Sequence, residues 1–177
     1  MSTAGAWRRG VRLGVDVGSV RVGLAACDPD GLVATPVQTL ARDVEHESDL
    51  DAIVAQVAER AVVEVVVGLP RSLNGREGVA ADLARRYAGA LARRVAPVPV
   101  RLVDERLSTV GAHRVLHEAG LGGRKHRTVI DQVAAVLVLQ TALDAEKSSG
   151  RAPGSLVDPG PPPGAPEAEG AQEAQPE

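Results

Sequence analysis

The chain has 177 residues, 44% hydrophobic and 24% charged, with 20 Lys+Arg against 23 Asp+Glu, the composition of one soluble globular domain. The net charge is −3, but from Ser148 to Glu177 a single arginine stands against five acids, so the tail carries −4, residues 1–147 carry +1, and a polyanionic partner is not excluded. One cysteine, Cys27, excludes a disulfide framework and a cysteine-based zinc cluster; Trp7 and Tyr87 as the only aromatics leave little for stacking on bases; and no apolar run reaches signal-peptide or membrane-span length, so a cytoplasmic protein with no membrane contact is expected.

Residues 1–10 read as a flexible leader. The Val-rich runs Val11–Val17 and Val20–Cys27 flank Gly18-Ser19 and predict a hairpin, and the DPDG turn at Asp28–Gly31 leads into a third run, Val33–Leu40. Cys27 reads as a small buried hydrophobe. Ser48–Arg60 carries Leu50, Ile53, Val54 and Val57 at helical spacing, with Ser48 as N-cap. Val62–Val67 is a buried strand ending in Gly68-Leu69-Pro70. Gly78–Val95 is a helix whose Arg85-Arg86 and Arg93-Arg94 pairs read as a solvated face, and Val98–Val103 is a further strand. Helices at Ser108–Glu118 and Thr128–Glu146, joined by a GLGGRKHR loop, complete the pattern. The order predicts an α/β domain over residues 11–147: a mixed five-stranded sheet, an antiparallel three-strand meander and then two parallel strands, flanked by helices. Residues 148–177, rich in Pro, Gly, Ala and Glu, are expected to be a disordered tail whose removal costs no packing.

Three acids stand where local economy does not require them. Asp16 interrupts the first strand, Glu105 follows Asp104 at the C-terminal end of the Val98–Val103 strand, and Asp131 lies in the first turn of the last helix. Each has an ordinary reading: Asp16 as an acceptor for the Gly18-Ser19 turn, Glu105 as a partner of Arg106 or Arg101, and Asp131 as the far end of a Thr128–Asp131 capping box. Together they describe three carboxylates converging on a sheet edge without His or Cys, a donor set for Mg²⁺ or Mn²⁺. Two such ions are a known device for phosphodiester hydrolysis. Arg71, Asn74 and Arg76 after GLP, with Arg106 and with Arg124, Lys125, His126 and Arg127 before Asp131, are candidate phosphate contacts. His113 and His117 have ligand-like spacing but no third ligand, and zinc is not expected there.

The strings LGVDVGSVRVGLAACD, VVGLPRSLNGREG, VDERLSTVGA and KHRTVIDQVAAVLVL resemble, in that order, the four motifs of the YqgF/RuvX family of RNase H-like nucleases, also called Holliday junction resolvases. The resemblance spans roughly residues 11–145, and DERLST with VVGLP is its most specific part. It implies an RNase H-like fold, metal-dependent phosphodiester hydrolysis, maturation of the 5′ end of the 16S rRNA precursor, and catalytic, metal-binding roles for Asp16, Glu105 and Asp131. Arg71-Ser72 after GLP and the acidic tail depart from the family pattern. Two alternatives share the fold: a resolvase of branched DNA, which needs two active sites on a two-fold axis, and an inert RNA-binding module. Monomer and homodimer both remain open. An actin-like kinase or ATPase would need a second Asp-x-Gly hairpin, which the chain lacks.

Overall fold

The structure, a computed structural model, describes residues 7–72, 74–105 and 124–161, the side chains of 124–130 excepted. At its centre, β1 (Arg12–Val17) pairs antiparallel with β2 (Arg21–Cys27), and β2 pairs antiparallel with β3 (Ala34–Ala41). On the other side of β1, β4 (Glu64–Leu69) runs parallel to it and β5 (Val100–Asp104) runs parallel to β4. This is the predicted RNase H-like sheet, a meander followed by two parallel strands. Helices α1 (Ser48–Glu59) and α2 (Val79–Val95) cover one face, and α3 (Arg124–Ser149) lies across the other. The predicted helix Ser108–Glu118 lies outside the described residues. Among the described residues no helix is long and apolar enough to cross a membrane.

Strand alternation decides which face each residue serves. Leu13, Val15, Val22 and Leu24 join Leu50, Ile53, Val57, Ala84 and Leu91 in the core under α1 and α2. Ala25, Cys27, Val66 and Val103 join Ala135, Leu139, Ala142 and Leu143 under α3. By the same alternation Gly14 and Asp16 face α3. Cys27 is buried, as read from the sequence, and burial pushes its thiol above the usual range.

Four expectations need correction. Ser48 is not the N-cap of α1: Glu47, in left-handed backbone at φ 54°, holds that position, and the Ser48 hydroxyl donates instead to Asp43 at 2.6 Å. The last helix is already formed at Arg124, before Thr128, so Asp131 lies within it and the Thr128–Asp131 capping box has no helix start to cap. The sheet has six strands, not five, because β6 (Ser155–Leu156), within the segment expected to be disordered, pairs antiparallel with β5. Val157 N–H donates to the Val100 carbonyl at 2.8 Å and Pro153 is buried, so a few apolar residues in a polar tail suffice to cover the β5 edge.

The fourth correction concerns the leader. Arg8 grips Glu64 at 3.0 and 3.1 Å and Glu146 at 2.7 and 2.8 Å, and Trp7 donates its indole N–H to the Asp30 carbonyl at 2.7 Å. Arg12 and Glu64 are almost wholly buried in this cluster, and Arg101 donates to Glu64 at 2.9 Å. The Arg12 guanidinium lies 5.2 Å from the centre of the Trp7 ring, which offsets burial of two nitrogens, Nε and Nη1, that have no hydrogen-bond partner among the described residues. Residues 7–10 of the leader, with few apolar side chains, are thus fixed by charge at the N-terminal ends of the parallel strands.

These contacts distinguish two truncations. Removing residues 161–177 should leave the melting temperature unchanged, whereas ending the chain after Lys147 also deletes β6. Loss of its edge hydrogen bonds should cost about 2 kcal/mol, a fall of about 4–8 °C by calorimetry; equal melting temperatures would show that β6 adds nothing.

Candidate active site

The site forms where β1, β4 and β5 end. Asp16 is the penultimate residue of β1, and its partner on β2 is Gly23. Extending the Val15–Val67 pair by one residue sets Gly68 of β4 on the other side of Asp16. Asp16 is therefore flanked on both neighbouring strands by residues without side chains, and each vacancy is filled by another acid's segment. A Cβ on Gly68 would lie 2.7 Å from Glu105 Oε1 and 2.9 Å from Val138 Cγ2, so the Glu105 carboxylate rests on the space above Gly68. A Cβ on Gly23 would collide with the Asp131 carbonyl oxygen, so α3 touches the sheet through its main chain at Asp131.

Asp16 and Glu105 are in hydrogen-bond contact. Two carboxyl groups so placed need a proton or a cation between them. Burial pushes Glu105 above the usual carboxylate range, the bond with Asp16 pulls against that shift, and the charge of Asp104 adds to it. Such a pair, forced toward ionisation at neutral pH, suits a divalent cation, which would replace the shared proton.

Asp131 is placed differently. Its carboxylate accepts a hydrogen bond from Arg21 Nε at 2.7 Å, with both side chains partly exposed. Among the described residues no three His, Cys, Asp or Glu side chains are grouped as a metal site. The fold brings the Asp131 backbone beside Asp16, while its side chain points along β2 to Arg21.

The candidate phosphate contacts divide. Arg71 donates to Glu77 at 2.9 Å and lies 3.8 Å from Asp104, strapping the loop after β4 to the end of β5. Asn74 accepts from the Arg76 N–H at 3.2 Å and from the Ser72 hydroxyl, so it shapes that loop. Arg76 is exposed. Arg124, Lys125, His126 and Arg127 are helical and belong to α3. Arg106, His113 and His117 lie outside the described residues. Of the two pairs on α2, Arg85 bonds Glu77 and Arg94 bonds Glu47 and Asp51. Sequence reasoning missed Arg21 and Gly68; strand alternation from Gly23 and the register with Asp16 could have found both.

The family described as RuvX, Holliday junction resolvase, matches residues 10–145. A protein of Kineococcus radiotolerans named "Putative pre-16S rRNA nuclease" is 61% identical over 150 residues, 85% of this chain and 79% of its own length. Proteins of the same name from Frankia casuarinae and a Nocardioides species are 58% and 54% identical, covering 82% and 85% of this chain and 72% and 98% of theirs. Among solved structures, Thermus thermophilus RuvC in complex with Holliday junction substrate aligns over 79% of this chain and 97% of that one, with TM-score 0.48 and 12% identity.

The carboxyl pair makes stability depend on pH with a definite sign. Because the folded pKa of Glu105 is raised, the folded chain holds a proton that the unfolded chain releases, so this contribution is full below about 4.5 and is lost as pH rises through the folded value. In EDTA, Asp16→Asn should therefore melt higher than the wild type at pH 8, and the gap should narrow toward pH 4.5. A gap that widens on acidification would mean the two carboxyls do not share a proton.

Proposed function

The chain belongs to the RuvX family, and from that premise we propose that it is a divalent-metal-dependent nuclease that cuts the 16S rRNA precursor in the cytoplasm. The observation that carries this reading is the contact between Asp16 and Glu105 at the mouth of the parallel strands, on the motif positions DVG and DER. Parallel sheets deliver functional side chains to the crevice at the carboxyl ends of their strands.

Asp16, Glu105 and Asp131 would hold Mg²⁺ or Mn²⁺. When bound, such ions activate water and neutralise charge on the leaving oxygen of a phosphodiester. The protein's own groups supply the remainder. Asp16 and Glu105 give up their shared proton on loading. Arg76 and the basic residues 124–127 of α3 bind flanking phosphates of the polyanion without reading its sequence. Arg71, held by Glu77 and Asp104, keeps the loop after β4 at the rim and orients that grip. Relatives named for pre-16S rRNA support RNA as the substrate.

Purified protein should be incubated with an end-labelled 16S precursor carrying its 5′ leader and, separately, with a synthetic four-way DNA junction. Cleavage of the RNA in Mg²⁺ or Mn²⁺, its absence in EDTA, and its loss by orders of magnitude in Asp16→Asn and Glu105→Gln are the expected results. Cutting confined to the junction would move the substrate to branched DNA; no cutting of either would sink the nuclease reading.

A further inference from the structure

The contact between Arg21 and Asp131 is not explained by a static three-carboxylate site. Arg21 opens β2 directly after the hairpin, where the Gly18 N–H donates to the Arg21 carbonyl at 2.8 Å. It precedes Gly23 by two residues and so shares its face, about 7 Å along the strand. The Asp131 main chain rests on Gly23, and Asp16 stands opposite Gly23, about one strand spacing of 4.8 Å away. From one anchored position the Asp131 carboxylate thus has two directions: along β2 to Arg21, or across to the Asp16–Glu105 pair. It takes the first, at 2.7 Å.

We propose that Arg21 is a positioning residue that holds Asp131 off the Asp16–Glu105 pair until a nucleic-acid phosphate takes over the guanidinium. The inference rests on the reading of these acids as metal ligands. Arg21 is about one-third exposed, so a phosphodiester lying over the hairpin can reach it. A phosphate matches the guanidinium fork as a carboxylate does, so exchange conserves charge-assisted bonds to Arg21 while releasing Asp131. Substrate binding and completion of the ligand set are thereby coupled, and the affinities of nucleic acid and cation must strengthen each other reciprocally.

The test is calorimetric titration of Mn²⁺, without nucleic acid, into the wild type, Arg21→Gln, Arg21→Lys, Asp131→Asn and the Arg21→Gln/Asp131→Asn double variant. Arg21→Gln should bind Mn²⁺ about fivefold or more tightly than the wild type, with Arg21→Lys between them. The double variant should show no gain over Asp131→Asn. In turnover of the RNA, Arg21→Gln should raise KM about tenfold while kcat changes little. A gain in Mn²⁺ affinity that persists in the Asp131→Asn background would reduce Arg21 to a nearby positive charge and overturn the inference, as would no gain in a wild type that binds Mn²⁺ and cuts. A wild type that neither binds Mn²⁺ nor cuts would instead overturn the metal-nuclease reading, and this inference with it.

Discussion

The site depends on how close a helix backbone can come to a sheet. Side chains normally hold a helix about 10 Å from the sheet it covers. Here α3 crosses β1 and β2 over two positions that have none: a Cβ on Gly14 would lie 2.6 Å from Leu139 Cβ and 2.9 Å from the Ala135 carbonyl, and one on Gly23 would strike the Asp131 carbonyl. The nine residues from Asp131 to Leu139 therefore lie with their backbone nearly on the sheet. An acid on that helix can then sit one strand away from an acid on β1. Any side chain at Gly23 lifts α3 at the residue where the chemistry needs it lowest.

Close contact at one end needs fastening at the other. The last turns of α3 bring Glu146 to Arg8 and Arg12, and Glu64 on β4 takes Arg8 and Arg101. Five charged side chains from the leader, β1, β4, β5 and α3, three arginines and two glutamates, thus pair with one another at the ends of the parallel strands opposite the site. Burying them is costly, and their attraction offsets that cost only while every partner remains. Truncating one leaves the others charged in a dry place, a loss of about 3–5 kcal/mol. The molecule consequently has a rigid ionic pole and a chemical pole, with α3 as the beam between them.

The sequence made some of this plain because the relevant physics is local. Val-rich runs around Gly18-Ser19, the parallel strands around Gly68 and Val103, and the amphipathic spacing of Leu50, Ile53 and Val57 need only neighbours within a few residues to be read. Asp16 and Glu105 were visible as acids at strand ends. What escaped reading is non-local. Arg8 seems an ordinary leader residue until Glu64 and Glu146, 56 and 138 positions away, are folded against it. The start of α3 was misplaced because a basic stretch, RKHR, resembles a loop by composition, though it forms a helical turn. The strand at Ser155–Leu156 has little apolar surface of its own and exists because β5 offers an unpaired edge. Arg21 was hidden for the same reason: its partner, Asp131, is 110 residues distant.

The placement of the single tryptophan gives the ionic pole an optical address. Trp7 lies against the Arg12 guanidinium and 5.7 Å from the Lys147 ammonium, while the only tyrosine, Tyr87, is buried on the opposite side of the sheet, donating to Asp49 under the Arg42 guanidinium. Indole emission therefore follows release of the leader from the end of α3, and tyrosine absorbance follows the core beneath α1 and α2. The two chromophores view the two layers of the molecule separately. The wild-type chain thus carries its own pair of probes for asking whether those layers come apart together.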